Sequence, residues 1–149
     1  MSLNENDYKY LVYKIGNELY SSPLLSVREV LEYQNPKYMP NMVHHFSGVI
    51  NVRGAIVGVL DLRLKFGLPN PVGPKTSILL CDTGRGLIAA VVDSVECVQE
   101  FAETDVDRKP VVMSKVKQEY LAGVAKSKEQ LVTILDLHKF LTEEELKAA

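Results

Sequence analysis

Asp61 and Asp136 each sit inside an identical Leu-Asp-Leu string, 75 residues apart. Paired carboxylates are common equipment for general acid–base chemistry. Each of these directly precedes a short helix-like stretch, where an aspartate accepts hydrogen bonds from the first unpaired helical amides. N-capping therefore accounts for both residues at once. His44 and His45 are adjacent, so their rings diverge and lack the i, i+4 spacing of a metal-binding pair. His138, after Asp136, reads as a solvated helical histidine. Gly84-Arg85-Gly86 lacks the GK[ST] ending of a phosphate loop and joins two strand-like stretches. Cys81 and Cys97 have no CxxC spacing, and no serine stands in a G-x-S-x-G elbow. The residues predict no catalytic centre, no metal and no cofactor.

The elements that must position these residues come in two copies. Residues 48–62 (GVINVRGAIVGVLDL) align without a gap on 123–137 (GVAKSKEQLVTILDL), with six identities in fifteen positions. At an offset of 68, residues 11–31 fall more weakly on 79–99, matching Gly16 to Gly84, Leu19 to Leu87 and Val30 to Val98. Self-similarity of this kind determines how a fold is read, but two copies at so long a period do not make a solenoid. Two similar lobes packed together are expected.

Within the first copy, Lys9–Ile15 and Glu18–Leu25 form a hairpin about Gly16-Asn17. Gly48–Val52 and Ala55–Leu60 form another about Arg53-Gly54, where a glycine supplies the positive φ that a two-residue turn requires. Alternation puts Ile50 and Val52 on one face, Asn51 and Arg53 on the other. The run AIVGVL is apolar on both faces and should be covered on both. Asp61 caps a short helix ending at Gly67. Residues 67–76, with three prolines and two glycines, read as an inter-lobe linker. Ser77–Cys81, a long stretch Leu87–Val98, and a closing hairpin of Tyr120–Ala125 and Leu131–Leu135 follow. Asp136 caps a second short helix, and Thr142-Glu143-Glu144-Glu145 has capping-box spacing for a final turn. The prediction is an all-β protein of two pseudo-repeated, five-stranded, barrel-like (SH3-like) subdomains with short helices and a C-terminal helix. The first lobe is set at 8–66, the second at 77–142 and the helical tail at 143–149.

Composition agrees with a globular domain: 149 residues, 46% apolar, 24% charged, net charge −2. Nothing in that charge draws the chain to nucleic acid or an anionic membrane. No apolar run approaches the roughly 20 residues of a membrane span, and the start, MSLNENDYKY, has no secretory signal pattern. A cytoplasmic location is expected. Where the copies disagree, the first has Asn51-Val52-Arg53-Gly54 and the second Lys126-Ser127-Lys128-Glu129. A turn arginine is commonly just solvated; beside an apolar groove it would anchor a partner.

These residues also carry a resemblance. Gly48-Val49-Ile50-Asn51-Val52-Arg53-Gly54, then Ile56-Val57 and Leu60-Asp61-Leu62-Arg63-Leu64-Lys65-Phe66-Gly67, resembles the signature of the CheW family of chemotaxis coupling proteins. Val27-Arg28-Glu29-Val30, Val92-Asp93-Ser94-Val95, Tyr120-Leu121-Ala122-Gly123-Val124 and Leu135-Asp136-Leu137 match further family patterns in order, over residues 8–142. The resemblance implies a non-catalytic adaptor. Such a protein joins the cytoplasmic helical-hairpin tips of membrane-bound chemoreceptor arrays to the regulatory domain of the histidine kinase CheA. It implies a receptor-facing surface at Val27, Glu29, Gly48, Asn51 and Arg53, with Gly54, Asp61 and Asp136 left as turn and cap residues. The alternatives are a CheW-like adaptor for another kinase pathway, in motility or development, and a small β-barrel enzyme or nucleic-acid-binding module.

Overall fold

The computed structural model describes residues 9–40, 46–108 and 118–148. Strands β1 (Lys9–Ile15) and β2 (Glu18–Pro23) form the first hairpin, and a 3₁₀ turn at Leu24–Ser26 leads to β3 (Glu29–Glu32). Then come β4 (Gly48–Val52), β5 (Ala55–Asp61) and the single-turn helix α1 (Leu62–Lys65). Beyond the proline-rich stretch lie β6 (Ser77–Asp82), β7 (Leu87–Val92), β8 (Ser94–Glu100) and the two-residue β9 (Val106–Asp107). The chain closes with β10 (Leu121–Ser127), β11 (Gln130–Leu135) and helix α2 (Leu137–Ala148). No helix among the described residues is long and apolar enough to cross a membrane.

The fold is all-β with two curled sheets, as expected from the repeat. One sheet has the order β3-β6-β7-β5-β4, the other β8-β1-β2-β11-β10-β9. The expected division at residues 67–76 is not the division of the sheets. β6 and β7, beyond that stretch, complete the sheet begun by β3, β4 and β5, while β1 and β2 join β8 to β11. Each half has given its opening hairpin to the other. Offsets of 68 and 75 convert one strand order into the other, and the pairings follow. Gly58 lies opposite Ile88 in the parallel β5–β7 pair, and Thr133 opposite Tyr20 in the parallel β11–β2 pair.

Three apolar clusters fill this architecture. Ile50, Val52, Val57, Val59, Ile78, Leu80, Ala89 and Val91 fill the five-stranded curl. Tyr10, Val12, Phe101, Ala125, Val132 and Ile134 fill the six-stranded one. The seam between the sheets is a third cluster, to which β1, β6, β7, both helices and Tyr120 contribute. Burial on this scale supplies the main favourable term in folding. The run AIVGVL is not covered throughout, since Ile56 at its start is 68% exposed.

Two local expectations change. The stretch Leu87–Val98 is broken at Asp93, which separates β7 from β8 and sends them to different sheets. Its N–H donates to the Lys14 carbonyl at 3.0 Å, diverting the backbone into the other ladder. The spacing at Thr142 does not start a new helix, because α2 runs through it unbroken from Leu137. The cap at Asp136 suffices: its Oδ1 accepts from the Lys139 N–H at 3.0 Å, and no Gly or Pro interrupts the helix beyond it.

Candidate functional site

The β4–β5 turn places Arg53 by backbone geometry. Arg53 and Gly54 have φ of 48° and 89°, the paired left-handed conformations of a tight hairpin turn. The Asn51 Oδ1 accepts from the Gly54 N–H at 2.8 Å and closes the turn from within. Lys128 and Glu129, at the matching place in the other half, have φ of 48° and 68°. The backbone is therefore the same in both halves; the side chains make the difference.

From that turn the Arg53 guanidinium reaches β3 and grips Glu29 with two hydrogen bonds, Nη1 to Oε1 at 3.0 Å and Nη2 to Oε2 at 2.6 Å. A planar fork matched to a carboxylate is the geometry for which arginine is suited and lysine is not. β3 and β4 are the two edges of the five-stranded sheet, so the clamp closes its curl. The position equivalent to Glu29 is Cys97, which cannot form the ion pair with Lys128. The six-stranded curl is tied instead by a hydrogen bond from Gln99 Nε2 on β8 to Ser127 Oγ on β10. Arg53's hydrogen bonds hold the Glu29 carboxyl below its ordinary range, and Glu29 in turn raises Arg53.

Apolar surface lies beside the clamp. Val27 is half-buried against the seam cluster. Val30 is 44% exposed and stands opposite Leu79 in the β3–β6 ladder; opposite residues share a face, and Leu79 belongs to the seam. The equivalent Val98 is 52% exposed opposite the seam residue Leu11. The seam's apolar layer thus reaches solvent at the sheet edges, with Leu25, 65% exposed, in the connection between β2 and β3. Arg28 fixes that connection by donating its N–H to the Leu80 carbonyl and by an ion pair with Asp82 at 3.1 Å.

Four of the five residues expected to face a receptor fall in this region: Glu29 and Arg53 bonded to each other, Asn51 within the turn, and Val27 just before β3. Gly48 does not present a surface. It is buried at the far end of β4, with φ of 147°, and a Cβ there would lie 2.5 Å from the Lys37 carbonyl oxygen. Gly123, its repeat counterpart, has φ of 154° and would meet the Asp107 carbonyl oxygen at 2.8 Å. Both glycines let an edge segment cross close to the backbone, which is an architectural role. Asp61 caps α1, its Oδ1 accepting from the Arg63 N–H at 3.0 Å. His44 and His45 lie outside the described residues. Among the described residues no group of three His, Cys, Asp or Glu is placed to hold a metal.

One residue that sequence reasoning passed over is Arg63, the largest fully buried side chain among the described residues. All five of its guanidinium N–H groups are used. Nε and Nη2 donate to the two carboxylate oxygens of Asp61 at 3.0 Å each. Nη1 donates to Asp93 Oδ1 at 3.1 Å and to the Pro71 carbonyl at 2.6 Å, and Nη2 also to the Asn70 carbonyl at 3.3 Å. The signal was available in the repeat, because its counterpart one residue beyond the aligned string is the exposed His138.

The CheW-like domain family matches residues 9–145 of this chain. A chemotaxis protein CheW of Klebsiella aerogenes is 29% identical over 139 residues, covering 93% of this chain and 84% of that protein. A chemotaxis protein CheW of Bacillus subtilis is 24% identical over 142 residues, covering 95% and 91%. Among solved structures, the scaffolding protein TtCheW of Thermoanaerobacter tengcongensis shares the fold. Its TM-score is 0.79 at 24% identity, over 93% of this chain and 92% of that one.

Proposed function

Because the chain belongs to the CheW-like domain family, we propose that it couples the helical tips of transmembrane chemoreceptors to the histidine kinase CheA. Its class is that of a chemotaxis scaffold, not an enzyme. It works in the cytoplasm, beneath receptors that are themselves in the membrane. The receptor tip docks as a helix in an apolar groove: valines and leucines supply buried area, and a polar rim fixes register. The observation that supports this reading is the bidentate Arg53–Glu29 clamp standing directly beside Val27 and the exposed edge of the seam.

Reversing the charge at Arg53 tests it. Arg53→Glu places two carboxylates together and breaks the clamp, while leaving all three apolar clusters in place. Co-sedimentation with a receptor-tip fragment and CheA should show the wild type in a ternary complex, and the folded variant depleted from receptor but still bound to kinase. Equal receptor binding by the folded variant would remove the clamp from the docking rim. Failure of the wild type to sediment with either partner would refute the chemotaxis assignment itself.

A further inference from the structure

Among the described residues the chain passes between the two sheets at two places: residues 24–28, from β2 to β3, and the single residue Asp93, from β7 to β8. The second crossing is where Arg63 is bound. Asp93 is held on the six-stranded side by its own N–H to the Lys14 carbonyl and by its Oδ2, which accepts from the Gly16 N–H at 2.6 Å. Its Oδ1 takes Nη1 of Arg63. Arg63 is in turn clasped by Asp61 at the end of β5, in the five-stranded sheet, and by the carbonyls of Asn70 and Pro71. Leu68, from the same 67–76 segment, packs to within 3.0 Å of where a side chain on Gly16 would begin. A continuous set of charge-assisted bonds therefore runs from one sheet, through a 1%-exposed guanidinium, to the hairpin turn of the other.

We propose that Arg63 is a positioning residue that pins the two sheets in one relation, and thereby preforms the apolar edge beside Val27 and Glu29. The pin stands on its own geometry; the use of that edge by a receptor rests on the function proposed above. Ordinary packing of the seam would allow the sheets to slide on an apolar layer, because apolar contacts are non-directional. Four directed bonds to Asp61, Asn70 and Pro71 orient the fork, and the fifth, to Asp93, carries that orientation to the crossing, which three rotatable lysine donors would not reproduce. A binding edge held in its competent arrangement avoids the loss in apparent affinity that a partly populated arrangement imposes.

The pin is tested by distance measurement within the intact chain. Cys97, exposed on β8, carries one spin label, and Glu32→Cys, at an exposed position on β3, carries the other; Cys81 is buried and its thiol is pushed up to about 12. Pulsed electron resonance on this pair should give one narrow distribution with Arg63 present. Arg63→Met should broaden or shift it while strand amides in β7 and β11 stay protected from exchange. Asp93→Asn, which keeps side-chain shape, should do the same more mildly and decides the matter if Arg63→Met does not fold. Arg63→Lys should not restore the narrow distribution. Variants with lowered melting temperature but an unchanged distribution would overturn the pin and leave Arg63 a local staple. In titrations with a receptor-tip hairpin, a competent population of one in ten should weaken apparent affinity about tenfold, with the narrow distribution returning at saturation. A broadened distribution with unaltered affinity would overturn the preforming role. The label distances judge the pin even if the wild type binds no receptor tip, an outcome that would count against the proposed function alone.

Discussion

Asp61 and Asp136 occupy equivalent places in the two halves and both cap helices, yet their removal should cost very different amounts. Asp136 is half-buried and its side chain accepts from the Lys139 N–H. Asp136→Ala removes that cap, at about 1 kcal/mol. Asp61 has the same job and a second one, since its two oxygens take two hydrogen bonds from a guanidinium that is 1% exposed, itself being 6% exposed. Asp61→Asn separates the two roles: asparagine caps as well as aspartate, but its amide nitrogen would turn a donor toward Nη2 and the negative charge would be gone. Removing one partner of a buried ion pair costs roughly 3–5 kcal/mol. Asp93, 26% exposed on the other flank, still partners the cation and favours the lower end, about 3 kcal/mol. Asp61→Ala loses both functions, about 4 kcal/mol in all. Urea denaturation of the four proteins, with thermal melts alongside, measures the series. For a domain of this size each kcal/mol lowers Tm by about 2–4 °C, so Asp61→Asn should fall about 6–12 °C. If Asp61→Asn costs no more than Asp136→Ala, the buried network contributes little and the reasoning about Arg63 fails with it.

Gly48→Ala and Gly123→Ala should each destabilise by about 1–3 kcal/mol from backbone conformation alone, before the contact with Lys37 or Asp107 is counted; equal melting temperatures for wild type and Gly48→Ala would return Gly48 to the binding surface. Ser21 is wholly buried inside the six-stranded curl with no partner for its hydroxyl among the described residues, where its counterpart in the other half is Ala89. Ser21→Ala should therefore raise stability by about 1 kcal/mol in a urea titration, and a loss of that size would mean the hydroxyl is satisfied after all. The Glu29 carboxyl should titrate below its reference value of 4.5, because Arg53 stabilises the anion. A lowered folded-state pKa places the clamp's contribution above the ordinary carboxylate range and removes it as pH falls through the lowered value, so neutral pH leaves it intact. Carbon-detected NMR of Glu29 should show the midpoint rising in Arg53→Ala, and an unmoved midpoint would discount the clamp.

Turns and caps were legible because they are decided within four or five residues. Gly16, Arg53-Gly54 and the two capping aspartates each announce a local conformation, and each adopts it. Allocation of strands to sheets was not legible, since it depends on distant partners, from Gly58 and Ile88, 30 residues apart, to Tyr20 and Thr133, 113 apart. Nothing near Asp93 marks the apolar run 87–98 as two strands; the break is made by Lys14, Gly16 and Arg63, all distant in sequence. Thr142 misled for the opposite reason, because a capping-box spacing was present but the helix had already been started by Asp136. The set expected to face a receptor mixed two kinds of residue. Arg53 and Glu29 differ between the halves and meet across the open side of a sheet, whereas Gly48 is repeated as Gly123 because both halves need the close approach there.

The exchange of hairpins gives the two crossings between the sheets unlike properties to carry. Had each half closed its own sheet, one flexible joint at 67–76 would have connected two independent lobes. Exchange makes both halves indispensable to both sheets and leaves two short crossings, which the offset of 68 relates as Leu25 to Asp93. Equivalent positions have acquired contrary properties. Asp93 is bonded to both sheets through Gly16 and Arg63, while Leu25 is an exposed apolar side chain ahead of Val27 and Glu29. A protein whose work is to hold partners in register needs a surface that can accept a helix and a frame that does not yield when it does. On the proposed function and the proposed pin, one crossing would offer the surface and the other would fix the frame, so the pseudo-symmetric fold would act asymmetrically without any change in strand order.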